Sequence, residues 1–413
     1  MKNSLDRIEH YKVESSLIKR SILRRDGTVV TTDIIRLNGK QEFSSAVDEF
    51  DYAWLRLKEK PEPNHINGHV RVVDLFSGAG GLSIGIEEAC RALGVSFEVV
   101  YANDIDKDIL KIYEANFLGA HCVSSPIEEI LDGEVGEPLS QSERELKSKL
   151  GRIDILVGGP PCQGNSDLNN HTRRQDPKNE LYLKMARFCE IVKPRHVIIE
   201  NVPGVLHDKK RVALRTWEKL REMGYKLDSN VINAYRIGVA QNRKRSITLA
   251  SLDVDIDFDE YINQSTTSPR NLSWAIGDLV ANKSRTIFDK PSILSPENII
   301  RVDYLFDNNL FDLPDSERPD CHKLKKHTYK SVYGRLKWDL PSPTLTTGFR
   351  VPGRGRYIHP SQRRTLTLHE GARIQYFPDF FKFPLSRGTL LQKVIGNAVP
   401  SRLGYSLAIH LLR

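Results

Sequence analysis

Cys162 stands where a thiol can do chemistry. The apolar run IDILV at 153–157 reads as a buried strand, and GGPPCQGNS at 158–166 follows it directly. Prolines restrict that turn, while its glycines let something flat approach the backbone closely. Such a turn displays a nucleophile. The plain alternative is a small buried hydrophobe, which most lone cysteines are. Glu200 ends a second short apolar strand, HVII at 196–199, and opens the turn ENVPG at 200–204. An acid at the C-terminal end of a parallel strand lies on the functional edge of an α/β sheet, or it merely caps the next helix. Gln241, Arg243 and Arg245 alternate in VAQNRKR at 239–245, ahead of the strand-like SITLA. Side chains two apart point the same way, which aims these groups at one face. A solvated strand edge that resists aggregation is the plainer reading.

The elements that must position these groups read as a nucleotide-type α/β site. The strand VRVVDLF at 70–76 runs into SGAGG at 77–81, and Leu82, Ile86, Ala89, Cys90 and Leu93 then recur at helical spacing. Strand, glycine turn and helix leave free N–H groups at the helix N-terminus. The turn lacks the Lys-Ser/Thr pair of a phosphate loop. A second strand, FEVVYA at 97–102, leads to Asp104. An acid there suits ribose hydroxyls, or it caps a helix near 106–117 whose apolar face is Ile109, Ile112, Tyr113 and Phe117.

In order, DLFSGAGG at 74–81, GGPPCQ at 158–163, ENVPG at 200–204, QNRKR at 241–245, RTLTLHEGARIQYFP at 364–378 and IGNAVP at 395–400 resemble the motifs of bacterial DNA (cytosine-5)-methyltransferases. The resemblance runs from about residue 70 to the C-terminus. It implies an α/β, Rossmann-like methyltransferase sheet with a smaller, irregular target-recognition domain. It also implies S-adenosylmethionine as methyl donor and double-stranded DNA as substrate. By this likeness the Cys162 thiolate attacks C6 of a cytosine, turning the poorly nucleophilic C5 into an enamine-like carbon that accepts a methyl group. Glu200 matches the glutamate that contacts N3 and the exocyclic amine, and Asn201 helps hold its turn. Arg245 and Arg243 match arginines that orient the base and the adjacent phosphate, with Gln241 in the same cluster. Asp74, Phe76, Gly78, Gly80 and Gly81 match the cofactor turn, and Asp104 the ribose acid. Ile105 would lie against the adenine, Asn397 and Val399 would close the pocket, and Pro161 would line it beside the nucleophile. Because a stacked cytosine cannot offer C6 to a thiolate, the target base must be flipped out.

Three positions depart from the pattern. Asn165 stands where an aromatic residue is usual, Ser125 and Pro126 where an acid commonly receives the adenine amine, and some 68 residues precede the first motif.

The expected organisation is an N-terminal extension at 1–68, a catalytic and cofactor-binding domain at 69–253, a target-recognition domain at 254–362, and a returning segment at 363–413. Residues 1–68 carry hairpin signals at Asp26-Gly27 and Asn38-Gly39 and either pack on the catalytic domain or touch DNA. The 254–362 interval is rich in proline and holds the basic stretch HKLKKHTYK at 322–330, suited to backbone phosphates. A second candidate contact loop sets Arg350, Arg354 and Arg356 among Gly348, Gly353 and Gly355. The basic run from Lys209 reads as a solvated helix face.

With 413 residues the chain can bury a substantial core, and its net charge of +8 with a pI near 9.1 suits a polyanionic partner. No apolar run is long enough for a membrane span. Five scattered cysteines show neither a disulfide framework nor metal-ligand spacing, so no metal is expected. A monomer in the bacterial cytosol, paired with a restriction endonuclease, completes the expectation. The rivals are a tRNA cytosine-5 methyltransferase, which the long 254–362 insert disfavours; a silent DNA-binding relative, against which the intact Cys162, Glu200, Gln241 and Arg245 speak; and a dinucleotide oxidoreductase, whose G-x-G-x-x-G order is missing.

Overall fold

The computed structural model describes residues 8–37, 41–63, 66–161, 177–282, 284, 286–320 and 332–413. Its first element is an antiparallel sheet of β1 (Glu9–Val13), β2 (Leu17–Leu23) and β3 (Val29–Ile35), followed by helix α1 (Ala46–Leu55). The expected Asp26-Gly27 turn joins β2 to β3, with Gly27 at φ +83° and Asp26 Oδ1 accepting from Thr28 N at 2.9 Å. The Asn38-Gly39 turn lies outside the described residues. Alternation along β2 turns Ile18, Arg20 and Ile22 inward. Arg20 meets Glu88 at 2.8 Å and donates to the Tyr405 hydroxyl at 3.2 Å.

The main body is a seven-stranded sheet. Its strands are β4 (His69–Leu75), β5 (Ser96–Asn103), β6 (His121–Val123), β7 (Ile155–Gly158), β8 (His196–Asn201), β9 (Lys226–Asn233) and, after the short β10 (Gln241–Asn242), β11 (Lys244–Ser251). The order is β6-β5-β4-β7-β8-β11-β9; β4 to β8 run parallel, and β11 is antiparallel to both neighbours. Every residue of β7 and β8 is buried, as expected of parallel strands covered on both faces. This is the expected α/β sheet of mostly parallel strands. The reversed strand β11, inserted between β8 and the edge strand β9, was not foreseen. No helix among the described residues is long and apolar enough to cross a membrane.

Helix α2 (Gly81–Ala92) carries the expected stripe inward, with Leu82, Ile86, Ala89 and Cys90 all buried. The C-terminal helix Ser401–Leu412 lies directly on it. A Cβ on Gly85 would collide with the Ser401 carbonyl, and one on Gly404 with the Leu82 carbonyl. Two glycines therefore bring these helix backbones together, and the end of the chain closes over its first motif.

The boundary expected at 254 moves. Phe258, Tyr261, Leu272, Trp274 and Ile276 belong to the main core, and the Tyr261 hydroxyl lies 2.8 Å from Ser406 Oγ of the C-terminal helix. A separate small core begins with the helix Pro296–Asp307, where Val302 and Leu305 meet Leu313, Val332, Tyr333 and Ile358. The stretch 322–330 lies outside the described residues.

The N-terminal extension packs on the main body, the plainer of its two expected roles, and it does so through buried charge. Asp51 of α1 accepts from Arg270 Nη2 at 2.5 Å and from Arg402 Nη1 at 3.0 Å, while Asp48 accepts from Arg270 Nε at 2.7 Å. All four side chains are buried. One carboxylate thus joins the extension, the segment around Arg270 and the C-terminal helix. Removing one partner of a buried pair leaves charge uncompensated, at about 3–5 kcal/mol. Asp51→Ala is expected to lose stability of that size in urea unfolding; a loss below about 1 kcal/mol would show that the network contributes little.

Candidate active site

The functional edge of the sheet lies where β4, β5, β7 and β8 end. After β4 the backbone enters left-handed conformations at Phe76 (φ +56°), Gly78 (φ +54°) and Gly80 (φ +84°). Phe76 has no glycine's freedom, so its backbone is strained, a condition that clusters at functional sites. Ser77 N donates to Asn103 O at 2.9 Å, stitching this turn to the end of β5.

Asp104 follows at that end. Its carboxylate accepts from Gly78 N at 3.0 Å and from Asp106 N at 2.9 Å. Burial raises its pKa, and the two backbone amides oppose that rise. The capping alternative falls to a neighbour: helix α3 (Lys107–Asn116) is capped by Asp106, whose side chain accepts from Asp108 N. Asp104 is thus held by the glycine turn rather than by the helix it precedes. Ile105 beside it is 71 % exposed. An isoleucine projecting into solvent at a strand end offers a platform for a flat apolar ring.

Asp74 is placed differently from the rest of the turn. It is buried, and its Oδ2 accepts from Ser83 Oγ at 2.6 Å and from the Tyr113 hydroxyl at 3.1 Å. It therefore anchors the turn to α2 and α3 from beneath. Neither Ser83 nor Tyr113 could be singled out beforehand, since each also fits an ordinary helix face. Gly81 starts α2 under the C-terminal motif, where a Cβ would collide with the Val399 carbonyl. Asn397, exposed at the end of the helix Gly388–Asn397, lies in the same segment.

The second half of the site joins β7, β8 and β11. Asn201 Nδ2 donates to Pro160 O at 3.1 Å, and its Oδ1 accepts from Val202 N at 2.8 Å. One side chain thereby fixes the proline turn to the glutamate turn. Pro161 is partly exposed and ends this described segment. Cys162 and Asn165 lie outside the described residues. Glu200 is 8 % exposed and its Oε1 stands 2.7 Å from Arg245 Nε, a charge contact without hydrogen-bond alignment. The antiparallel register, Ile247 opposite Glu200, puts Arg245 just past the end of β8.

The alternation read in QNRKR does not hold. Arg243 N donates to Gln241 O at 3.0 Å, so the chain turns between β10 and β11. Gln241 is fully buried; its amide donates to Gln375 Oε1 at 3.0 Å and accepts from Leu345 N at 2.9 Å. The buried Arg243 donates to Leu345 O at 3.1 Å and Asn397 O at 3.3 Å. Both side chains are spent on holding distant segments, and Arg245 alone of the three turns to Glu200. At the end of β6, Ser125 Oγ donates to Glu129 Oε2 at 2.5 Å, which brings a carboxylate to the loop where the sequence motif had none.

The sheet edge thus gathers the glycine turn, an oriented acid, the proline turn and a Glu–Arg pair. Residues 70–413 match the family model for C-5 cytosine-specific DNA methylases. The chain belongs to that family. Among its relatives, the Type II methyltransferase M1.BsuMI of Bacillus subtilis is 45 % identical over 409 residues, covering 99 % of this chain and 96 % of the relative. The Type II methyltransferase M1.HphI of Haemophilus parahaemolyticus is 29 % identical over 350 residues, covering 83 % and 86 %. The structure of S. pombe Dnmt2 methyltransferase shares the fold, with a TM-score of 0.55 at 19 % identity over 83 % of this chain and 98 % of that one. The N-terminal sheet and α1 precede the family match, yet the alignment with M1.BsuMI spans nearly the whole chain. This DNA cytosine-5 methyltransferase therefore carries an addition to the family body that M1.BsuMI is aligned across.

Burial pushes the Asp74 carboxyl up from 3.8 to about 7, against its bonds to Ser83 and Tyr113. Between about pH 4 and 7 the folded enzyme keeps a proton that the unfolded chain has lost, so this group costs stability as pH rises through that window. In Asp74→Asn that cost vanishes. The stability of the variant relative to wild type is expected to rise between pH 4.5 and 8, by on the order of 3 kcal/mol. Urea unfolding at both pH values measures the gap; a gap that does not change with pH would show Asp74 ionised throughout.

Proposed function

We propose that this enzyme transfers a methyl group from S-adenosylmethionine to C5 of a cytosine flipped out of a specific duplex DNA sequence, in the bacterial cytosol and alongside a restriction endonuclease. The observation that carries the reading is the Asn201 bridge, which sets the turn leading to Cys162 against the Glu200–Arg245 pair. The Type II names of M1.BsuMI and M1.HphI support the restriction–modification setting.

The donor's site suits it. The strained turn at Phe76, Gly78 and Gly80 leaves room for close approach, and two amides aim Asp104 as an acceptor for ribose hydroxyls. The exposed Ile105 would lie against the adenine, and Val399 with Asn397 would close the far wall. Bound there, S-adenosylmethionine supplies an electrophilic methyl group.

The protein's own groups prepare the cytosine to accept it. The Cys162 thiolate forms a bond to C6, and the C5–C6 electron pair moves into the ring toward N3, leaving C5 nucleophilic. Glu200, proton-bearing or proton-sharing, binds N3 and the exocyclic amine and stabilises that charge. Arg245 holds Glu200 in place and reaches the base and its phosphate. Once C5 is methylated, a base takes the C5 proton, the double bond re-forms and the thiolate leaves. Gln241 and Arg243 act by position, holding the segments around Leu345, Gln375 and Asn397 on which the pocket is built.

Purified enzyme and its Cys162→Ala variant, given methyl-labelled donor with mixed-sequence duplex DNA or with tRNA, test the reading. Label is expected in DNA only, and to disappear in the variant. Label in tRNA alone, or label that survives in the variant, would overturn it. Gly81→Ala drives a methyl into the Val399 carbonyl. Titration calorimetry is expected to show donor binding weakened about tenfold, equivalent to ~1.4 kcal/mol; unchanged affinity would remove this turn from the donor site.

A further inference from the structure

We propose that Arg354 reads a guanine of the recognition sequence from the major groove, an assignment that rests on the DNA methyltransferase reading above. The loop that carries it hangs from the catalytic edge. Thr344 Oγ1 donates to Asn242 O at 2.6 Å and Leu345 N to Gln241 Oε1 at 2.9 Å, beside the motif that leads to Arg245. Thr346 lies so close to the helix Gly388–Asn397 that a Cβ on Gly396 would strike its carbonyl. From there the chain runs outward to the turn Pro352–Arg354.

Sequence alone offers three arginines on this loop, and the structure separates them. Arg350 is buried and donates to Lys290 O at 3.0 Å. Arg356 donates to Phe311 O and to Arg335 O, each at 2.9 Å, and also meets Asp312. Arg354 is exposed; its backbone N donates to Val351 O at 3.1 Å, and among the described residues its side chain has no hydrogen bond or ion pair. Every other described arginine between 254 and 362 is held by a carboxylate or a backbone carbonyl. Among the described residues, this segment has thus tied its other guanidinium groups to internal acceptors and left this one facing out.

That guanidinium is also poised. Its stem lies over Gly348, where an added Cβ would sit 2.8 Å from both Arg354 Cβ and Cγ. The turn itself stands on Tyr333: an added Cβ on Gly353 would lie 2.8 Å from the Tyr333 hydroxyl, and Tyr333 N donates to Pro352 O at 2.8 Å. A stem already packed loses less rotamer freedom on binding than a free one. A fixed, planar fork of donors matches O6 and N7 of guanine bidentately, the commonest specific contact of arginine in the major groove. A phosphate contact would need only charge and would carry no sequence information.

Full-length wild type, Arg354→Ala and Gly348→Ala are compared on a randomised duplex library, reading which sequences take label and at what rate. Arg354→Ala removes no side-chain hydrogen bond or ion pair among the described residues and should keep the melting temperature close to that of wild type. Its kcat/KM at the wild-type site is expected to fall about ten- to a hundredfold, with discrimination at one guanine position lost and the salt dependence of binding nearly unchanged. Gly348→Ala, which displaces the stem while keeping the arginine, should lose discrimination at that same position. An equal loss on all sequences with a salt slope reduced by about one would make Arg354 a phosphate contact and overturn the proposal. So would a site preference left as in wild type. A wild type that labels no DNA would fail earlier, taking the parent reading with it.

Discussion

A buried guanidinium without a carboxylate partner holds this active site together. Arg243 is almost wholly inside the protein, and its hydrogen bonds go to the carbonyls of Leu345, Gly396 and Asn397. Charge in such a place costs several kcal/mol unless something answers it. Here the answer is a helix end: Gly396 and Asn397 close the helix Gly388–Asn397, where unpaired carbonyls concentrate the negative end of the dipole. Gln375 shares the work, donating to Ile395 O at 2.7 Å and Ala398 O at 3.2 Å. The last family motif is therefore fixed in space by residues from two other motifs, and Val399 reaches Gly81 because that helix end cannot drift.

The N-terminal extension supplies a second set of ties at the opposite side of the same segments. Arg56, at the end of α1, donates to Trp274 O at 2.8 Å and pairs with Asp278, while Trp54 and Trp274 both stack on Tyr376. Arg25 donates to the last carbonyls of the C-terminal helix, at His410 and Leu411. The extension thus contacts the stretch at 270–278 and the returning segment. It fixes those two segments against each other through α1. Buried pairs of opposite charge suit that task, because they are satisfied only in one arrangement.

The sequence declared the parts of the site that depend on backbone. Glycine and proline at 77–81, 158–161 and 203–204 mark strand ends because few other residues permit those turns, and the strands appear where the apolar runs end. Asp104 was legible for the same reason, and the helix cap that competed for it belongs to Asp106. Side-chain direction was less legible. Period-two alternation grouped Gln241, Arg243 and Arg245, but a single reversed turn at Arg243 sends two of them inward. The extension was opaque because its ties, Asp51 to Arg270 and Arg402, join residues more than two hundred positions apart, and no local pattern announces such a pair.

The order of the strands explains why these groups meet. From β4 the chain moves outward to β5 and β6 on one side, then returns to place β7 and β8 on the other. In such open sheets the ligand crevice forms where the winding reverses, at the carboxyl ends of the strands. The turn after β4 therefore has Asp104 on one flank and Pro160 on the other, and the two flanks face each other across one strand. The basic motif follows the same geometry in reverse. Because β11 is antiparallel to β8, its start, not its end, lies at the functional edge. A residue that must reach Glu200 from β11 has to sit at the start of the strand, and Arg245, its second residue, paired with Ile232, occupies that place.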